Sequence, residues 1–217
     1  MGLFSLFKRK KNDPVPEEPI EVPAPEEEML EADEVHGSIA FEFERKNEIK
    51  DLWHDSPESL RRHSGPAPTA ELISQVEDEL GYRLPQSYIA LMMTHNGGLV
   101  NRCRFRVPNP TEGCPDTIYI TEILGISREV PYSLCGRFGS AFLIDSRRHK
   151  KDIGVAICNT TLPGRALVFL DYRACGRTGE PCVTWADAVE GTELLLARSF
   201  AEFVKGLEAN TMGENTD

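Results

Sequence analysis

Five histidines and six cysteines are the residues of this chain best suited to acid–base, nucleophilic or metal chemistry. The histidines are His36, His54, His63, His95 and His149; the cysteines are Cys103, Cys114, Cys135, Cys158, Cys175 and Cys182. No two cysteines form a CxxC pair, and no histidine pair follows at zinc-finger spacing, so no metal site is expected. No HExxH, GxSxG, phosphate-loop or GxGxxG pattern occurs in a usable place. One nucleophilic arrangement can be written, His95 with Cys103 or Cys135 as an imidazole–thiol pair. Its competitor is structural: His95 ends a helical stretch, where a cation suits the carbonyl end of the helix dipole. The sequence therefore predicts no catalytic residue, no cofactor and no metal, and a protein that is not an enzyme.

The elements that must position any functional group start near Pro66. Thr69 follows Pro68 as an N-cap, and Leu72, Ile73, Val76 and Leu80 then form one apolar stripe at helical spacing. Gly81 stops that helix in a left-handed conformation that glycine adopts cheaply. Pro85 starts a second helix, where its missing N–H costs nothing. Tyr88, Leu91, Met92 and His95 form the inner face, and Asn96-Gly97-Gly98 ends it. The remainder reads as short strands over 104–107, 117–124, 141–144, 154–158, 165–171 and 182–185, separated by Gly, Pro, Asn or Asp turns. Long helical patterns between them are missing, which argues for antiparallel pairing. A last helix starts at Ser199, where Ser199 and Glu202 fit a capping box, and Phe200, Phe203, Val204 and Leu207 share a side. The expected fold is α+β, with a single antiparallel or mixed sheet of about six strands packed against helices.

Charge divides the chain. Of the 217 residues, with a net charge of −11, residues 1–11 hold four cations (Lys8, Arg9, Lys10, Lys11) and no acid. Residues 13–34 hold ten acids and no cation; from residue 35 on, 25 acids face 20 Lys or Arg. Direct nucleic-acid binding is not expected, because neutralising phosphates needs a basic surface. Leu3, Phe4, Leu6 and Phe7 make residues 1–11 a basic amphipathic segment, read either as a disordered start or as a weak peripheral membrane contact. Leu6 stands where N-myristoylation requires Ser or Thr. Residues 12–37, with Pro14, Pro16, Pro19, Pro23 and Pro25 among glutamates, read as a disordered, extended linker. Residues 38–65 read as a helical extension with a helix over 46–63, residues 66–208 as the globular domain, and 209–217 as a disordered tail. The even number of cysteines leaves disulfides open. Without a secretory signal or an apolar run of about 18 residues, reduced thiols in a cytoplasmic protein are the expectation.

Several stretches, taken in order, resemble one family. The segment 73–85 (ISQVEDELGYRLP) places Glu77, Leu80, Gly81, Leu84 and Pro85, and is followed by Tyr88 and then Asn96, Gly97 and Gly98. This resembles the opening signature of the SUKH superfamily, which includes the fungal Smi/Knr cell-wall assembly regulators and many bacterial immunity proteins. Tyr132-Ser133-Leu134-Cys135-Gly136 resembles a stretch of bacterial members. Asp152-Ile153-Gly154-Val155 with 168–173, which holds Leu170 and Asp171, is similar to the paired central strands. Phe200 and Phe203 lie in the closing helix, and 52–56 (LWHDS) resembles a segment preceding the domain in some members. The resemblance spans about residues 50–207. Two features depart from it: the basic run 146–151 (SRRHKK) stands where an acidic–aromatic Gly-Tyr-Pro segment is common, and the proline–acid tail lies outside the pattern.

The resemblance implies an α+β fold with helices against one sheet, and a binding module whose partner is a protein. Bacterial members look like immunity proteins that neutralise a toxin, often a nuclease, by occluding its site; fungal members look like signalling scaffolds. It carries over no catalytic residue. Two readings remain open for Glu77: an acceptor for backbone N–H groups of 84–88 that fixes the inter-helix turn, or a partner contact. Asp171 with Arg173 reads either as a local ion pair or as a recognition edge. The run 147–151 reads as a solvated loop or as a site for an acidic surface, the acidic linker included.

Overall fold

The computed structural model describes residues 51–110, 112–161 and 165–210. The expectations for the 1–11 segment, the 12–37 linker, residues 38–50 of the extension and 211–217 of the tail lie outside those residues.

The described chain opens extended. Trp53 pairs antiparallel with Val100, His54 N donates to Leu99 O at 2.9 Å, and Asn101 N donates to Leu52 O at 2.8 Å. Leu52 is buried by this pairing, worth about 1.5–3 kcal/mol for a side chain of its size. Helix α1 then covers only Pro57–His63. The longer helix expected over 46–63 is thus corrected within the described residues. Pro57 disfavours helical backbone at Ser56 and suits the first turn, and Ser56 and Ser59 cap each other reciprocally.

Helix α2 (Ala70–Leu80) starts at Thr69, whose hydroxyl accepts from Leu72 N at 3.2 Å, and ends at Gly81 with φ 75°. Helix α3 (Gln86–Thr94) follows Pro85. Three antiparallel sheets come next. Strands β1 (Gly98–Leu99) and β4 (Glu122–Ile123) form a pair; β2 (Arg104–Arg106) lies between β3 (Thr117–Tyr119) and β9 (Leu207–Glu208). The largest sheet runs β5 (Gly154–Asn159), β6 (Ala166–Asp171), β7 (Cys182–Asp187), β8 (Thr192–Ala197) in space as in sequence. Helix α4 (Ser140–Arg147) packs on β5, and α5 (Phe200–Lys205) packs on α3, β7 and β8.

The antiparallel α+β class stands, but the expected single sheet of about six strands is three sheets. The segment 117–124 divides at Ile120–Thr121: its first part pairs with β2 and its second with β1. Two backbone bonds, Thr121 N to Asn159 O and Leu124 N to Ile157 O, tie the β4 region to β5. The strand expected over 141–144 lies inside α4; its apolar run buries Leu143 and Ile144 on one side of a helix and leaves Phe142 exposed. Strand β8 escaped the sequence reading, since its residues (TELLLA) have helical propensity that pairing with β7 overrides.

Strands β5 and β6 are buried at every position, and β7 at all but Cys182. Aromatic contacts link the layers: Tyr88 against Phe200 at 4.7 Å between ring centres, and Phe105 against Phe203 at 5.1 Å. At α5, Ser199 Oγ accepts from Glu202 N, but the Glu202 carboxylate accepts from Arg198 N instead of completing the expected box at Ser199.

Candidate functional site

The motif residues gather at three places, and two of these are joints of the fold. At the α2–α3 junction, Glu77 is 8% exposed. Its Oε1 accepts from Leu84 N at 2.8 Å and its Oε2 from Arg83 Nη1 at 2.5 Å, while its carbonyl accepts from Gly81 N and Tyr82 N. Glu77 therefore closes the turn between the two helices. Gly81 supplies its left-handed residue, Leu84 is buried, and Pro85 caps α3. Leu80 packs half-buried against the core. Tyr88 is wholly buried, its hydroxyl donates to Leu124 O, and burial pushes its phenol well above the usual range.

At the second joint, Asn96 is 3% exposed and uses its whole amide. Oδ1 accepts from Ile126 N at 2.7 Å; Nδ2 donates to Pro66 O at 2.7 Å and Ile126 O at 3.0 Å. Gly97 has φ 78°, and a Cβ there would strike the Gly125 backbone. Gly98 faces the Trp53 ring at a distance that leaves a side chain little room.

The third place is the end of β6. Asp171 accepts from Arg173 Nε at 2.9 Å, Arg173 Nη2 at 2.6 Å, Arg173 N at 3.1 Å and Thr184 Oγ1 at 3.1 Å. Burial pushes its carboxyl up, but the Arg173 and Thr184 hydrogen bonds outweigh this and hold it below the usual range. Arg173 also bonds Glu193 at 2.7 Å, and Glu193 takes Lys150 at 3.2 Å. A local ion network occupies this edge. Gly154, with φ 141°, lets β5 approach Leu170 O and Tyr172, and Leu170 is buried. Asp152 is exposed, and Phe200 and Phe203 are core residues.

Among the described residues His95 makes no hydrogen bond to a thiol. Its Nε2 meets the Asp55 carboxylate at 3.1 and 3.3 Å, and its ring stacks on Trp53 at 4.5 Å. The Cys135 thiol points at Val76 O, 4.0 Å away, and burial with the neighbouring Glu79 pushes it up to about 12. It is a poor source of thiolate at neutral pH. All six cysteines are free thiols. The basic run is mostly engaged: Arg147 donates to Ala166 O at 3.1 Å, His149 is buried, Lys150 pairs with Glu193, and Lys151 with Asp145 at 2.7 Å.

With most motif residues turned inward and Asp152 exposed, a surface feature that the sequence reading missed stands out. Four rings form a ladder from α1 to α4. His63 stacks on Tyr132 at 4.3 Å, Tyr132 meets Phe138 at 5.0 Å, and Phe138 meets Phe142 at 5.4 Å. The Arg62 guanidinium lies over Tyr132 and that of Arg137 over Phe138, each at 5.2 Å. The members come from three segments, so no local spacing announced them. No group of three or more His, Cys, Asp or Glu among the described residues could hold a metal ion, and no described helix is long and apolar enough to cross a membrane.

Comparison with curated proteins finds no match. A family profile, in contrast, matches residues 67–206, well over half of the chain, from the residue after Pro66 to the end of α5. The chain belongs to the SMI1 / KNR4 family (SUKH-1).

Proposed function

We propose that this protein acts by stoichiometric binding to a protein partner, without catalysis, and that the partner is a toxin it neutralises in the cytoplasm. The observation that carries the reading is the use of the motif residues. Glu77, Gly81, Pro85, Asn96 and Gly97 serve the two joints and turn inward, which leaves the work of the domain to its surface. Affinity on such a surface comes from a few aromatic and arginine anchors, with charge steering the encounter. An acidic inhibitor suits a partner whose active cleft is basic, such as a nuclease. A second reading, a regulatory adaptor, draws on residues 1–66, which precede the family match and include the cationic, Phe-containing start that could touch a membrane.

The test is capture with the full chain as bait in cells of its source, followed by production of the captured protein alone. The expected result is a protein that arrests growth when made alone and is silenced when this chain is made with it. A captured protein that is harmless alone supports the adaptor. Membrane association of the full chain, lost when residues 1–11 are removed, supports it further.

A further inference from the structure

We propose that the ring ladder ending at Phe142 is a docking surface for an acidic peptide segment of a partner protein, one with an aromatic residue flanked by carboxylates. This rests on the protein-binding reading above and adds one cationic face to it, distinct from the net negative charge that would steer the domain to a basic cleft. Phe142 is 48% exposed, while Leu143 and Ile144 beside it are buried and hold α4 in place. Its contact with Phe138 is edge-on, at 74°, which leaves ring surface free to continue the ladder. Arg137 sits over the same Phe138 ring. A guanidinium stacked on a ring keeps its in-plane N–H groups free for a carboxylate.

Local charge selects the occupant. Asp145, one turn beyond Phe142, is already met by Lys151, and Glu58 by Arg62. No carboxylate pairs with Arg137 among the described residues, and it is exposed. The unmatched charge beside the open ring is therefore positive, in a domain that is otherwise mildly acidic. A ring stacking on Phe142 brings a neighbouring carboxylate to Arg137, since both residues touch Phe138. A nucleic-acid strand fits less well: it offers a charge at every nucleotide, and one free arginine neutralises few of them.

Fluorescence anisotropy of the full chain with three labelled probes tests this. The probes are the peptide Glu-Glu-Phe-Glu-Glu, its counterpart Lys-Lys-Phe-Lys-Lys, and a short oligothymidylate. The acidic peptide alone binds, more weakly as salt rises. Its Kd increases about fivefold or more in Phe142→Ala and in Arg137→Ala, the size of one lost ring or cation–π contact. Leu195→Ala, an exposed apolar position on β8, leaves binding unchanged. No binding of the acidic peptide, equal or stronger binding of either other probe, or binding that ignores both variants overturns the assignment. None of those outcomes touches partner capture by the full chain, so failure here is separable from failure of the broader reading.

Discussion

The two most informative polar side chains of this domain are Glu77 and Asn96, and both are spent on backbone groups. A buried donor left without its acceptor costs about 1–3 kcal/mol, more when the acceptor is charged. Glu77→Ala strips Leu84 N of its partner, so chemical denaturation should show a loss of about 2 kcal/mol. Arg83→Ala should cost under about 1 kcal/mol, because the Arg83 side chain is 56% exposed and its ion pair is screened. Equal losses in the two variants would mean that the ion pair, not the turn, is what Glu77 supplies. Asn96→Ala removes bonds to Ile126 and Pro66 together and should cost about 2–4 kcal/mol by the same measurement. Of the two readings open for Glu77 in the sequence, the turn acceptor is visible here.

Elements were legible in proportion to how local their causes are. The caps and stops of α2 and α3 were readable because Thr69, Gly81 and Pro85 act within a turn of their own positions. The division of 117–124, the helix at 140–147 and strand β8 were not, because each depends on what lies across from it. Ser140 illustrates this: its hydroxyl accepts from Ala156 N, a partner on β5 sixteen residues away. Gly97 tests the most demanding joint between elements. Gly97→Ala combines a left-handed backbone with a clash against Gly125, and it should lower the melting temperature more than Gly191→Ala, where φ is also positive but the space is open. Comparable melting temperatures in the two variants would show that the Gly97–Gly125 approach is not tight. The extended segment at 52–54 should matter as well: Trp53→Ala removes the stacking on His95 and part of the β1 cover, with a loss of about 1–3 kcal/mol.

Across the whole molecule, pH reports on two imidazoles, the buried His149 and the half-buried His63. Burial pushes His63 and His149 below their ordinary value, with Arg62 and Arg147 adding to the shift; Glu122 opposes it at His63, as do Asp187 and Glu193 at His149. The folded state favours the neutral form of both rings, whereas the unfolded chain takes up protons near their ordinary value. Protons therefore favour unfolding: stability is full above the ordinary imidazole value of about 6.5 and declines as pH falls below it. The carboxylates Asp171, Asp187 and Glu193, all held low, add a second loss only below their ordinary range. Melting temperatures across pH 5–8 should fall on the acid side, and His149→Gln should flatten that fall.

At this scale the sequence carried the family and the antiparallel α+β class, because ordered motifs and strand patterns run along most of the chain. The ring ladder proposed as a docking surface was hidden, because His63, Tyr132, Phe138 and Phe142 become neighbours only after folding. In the proposed function the whole domain is a binder that is not consumed and consumes nothing. Titration of the captured partner against the full chain, with intact masses recorded for both, bears on this most directly. Loss of partner activity that reaches its end at a fixed molar ratio, with both masses unchanged, is the predicted result. Partner inactivation by trace amounts of this chain, with a change in the partner's mass, would contradict it.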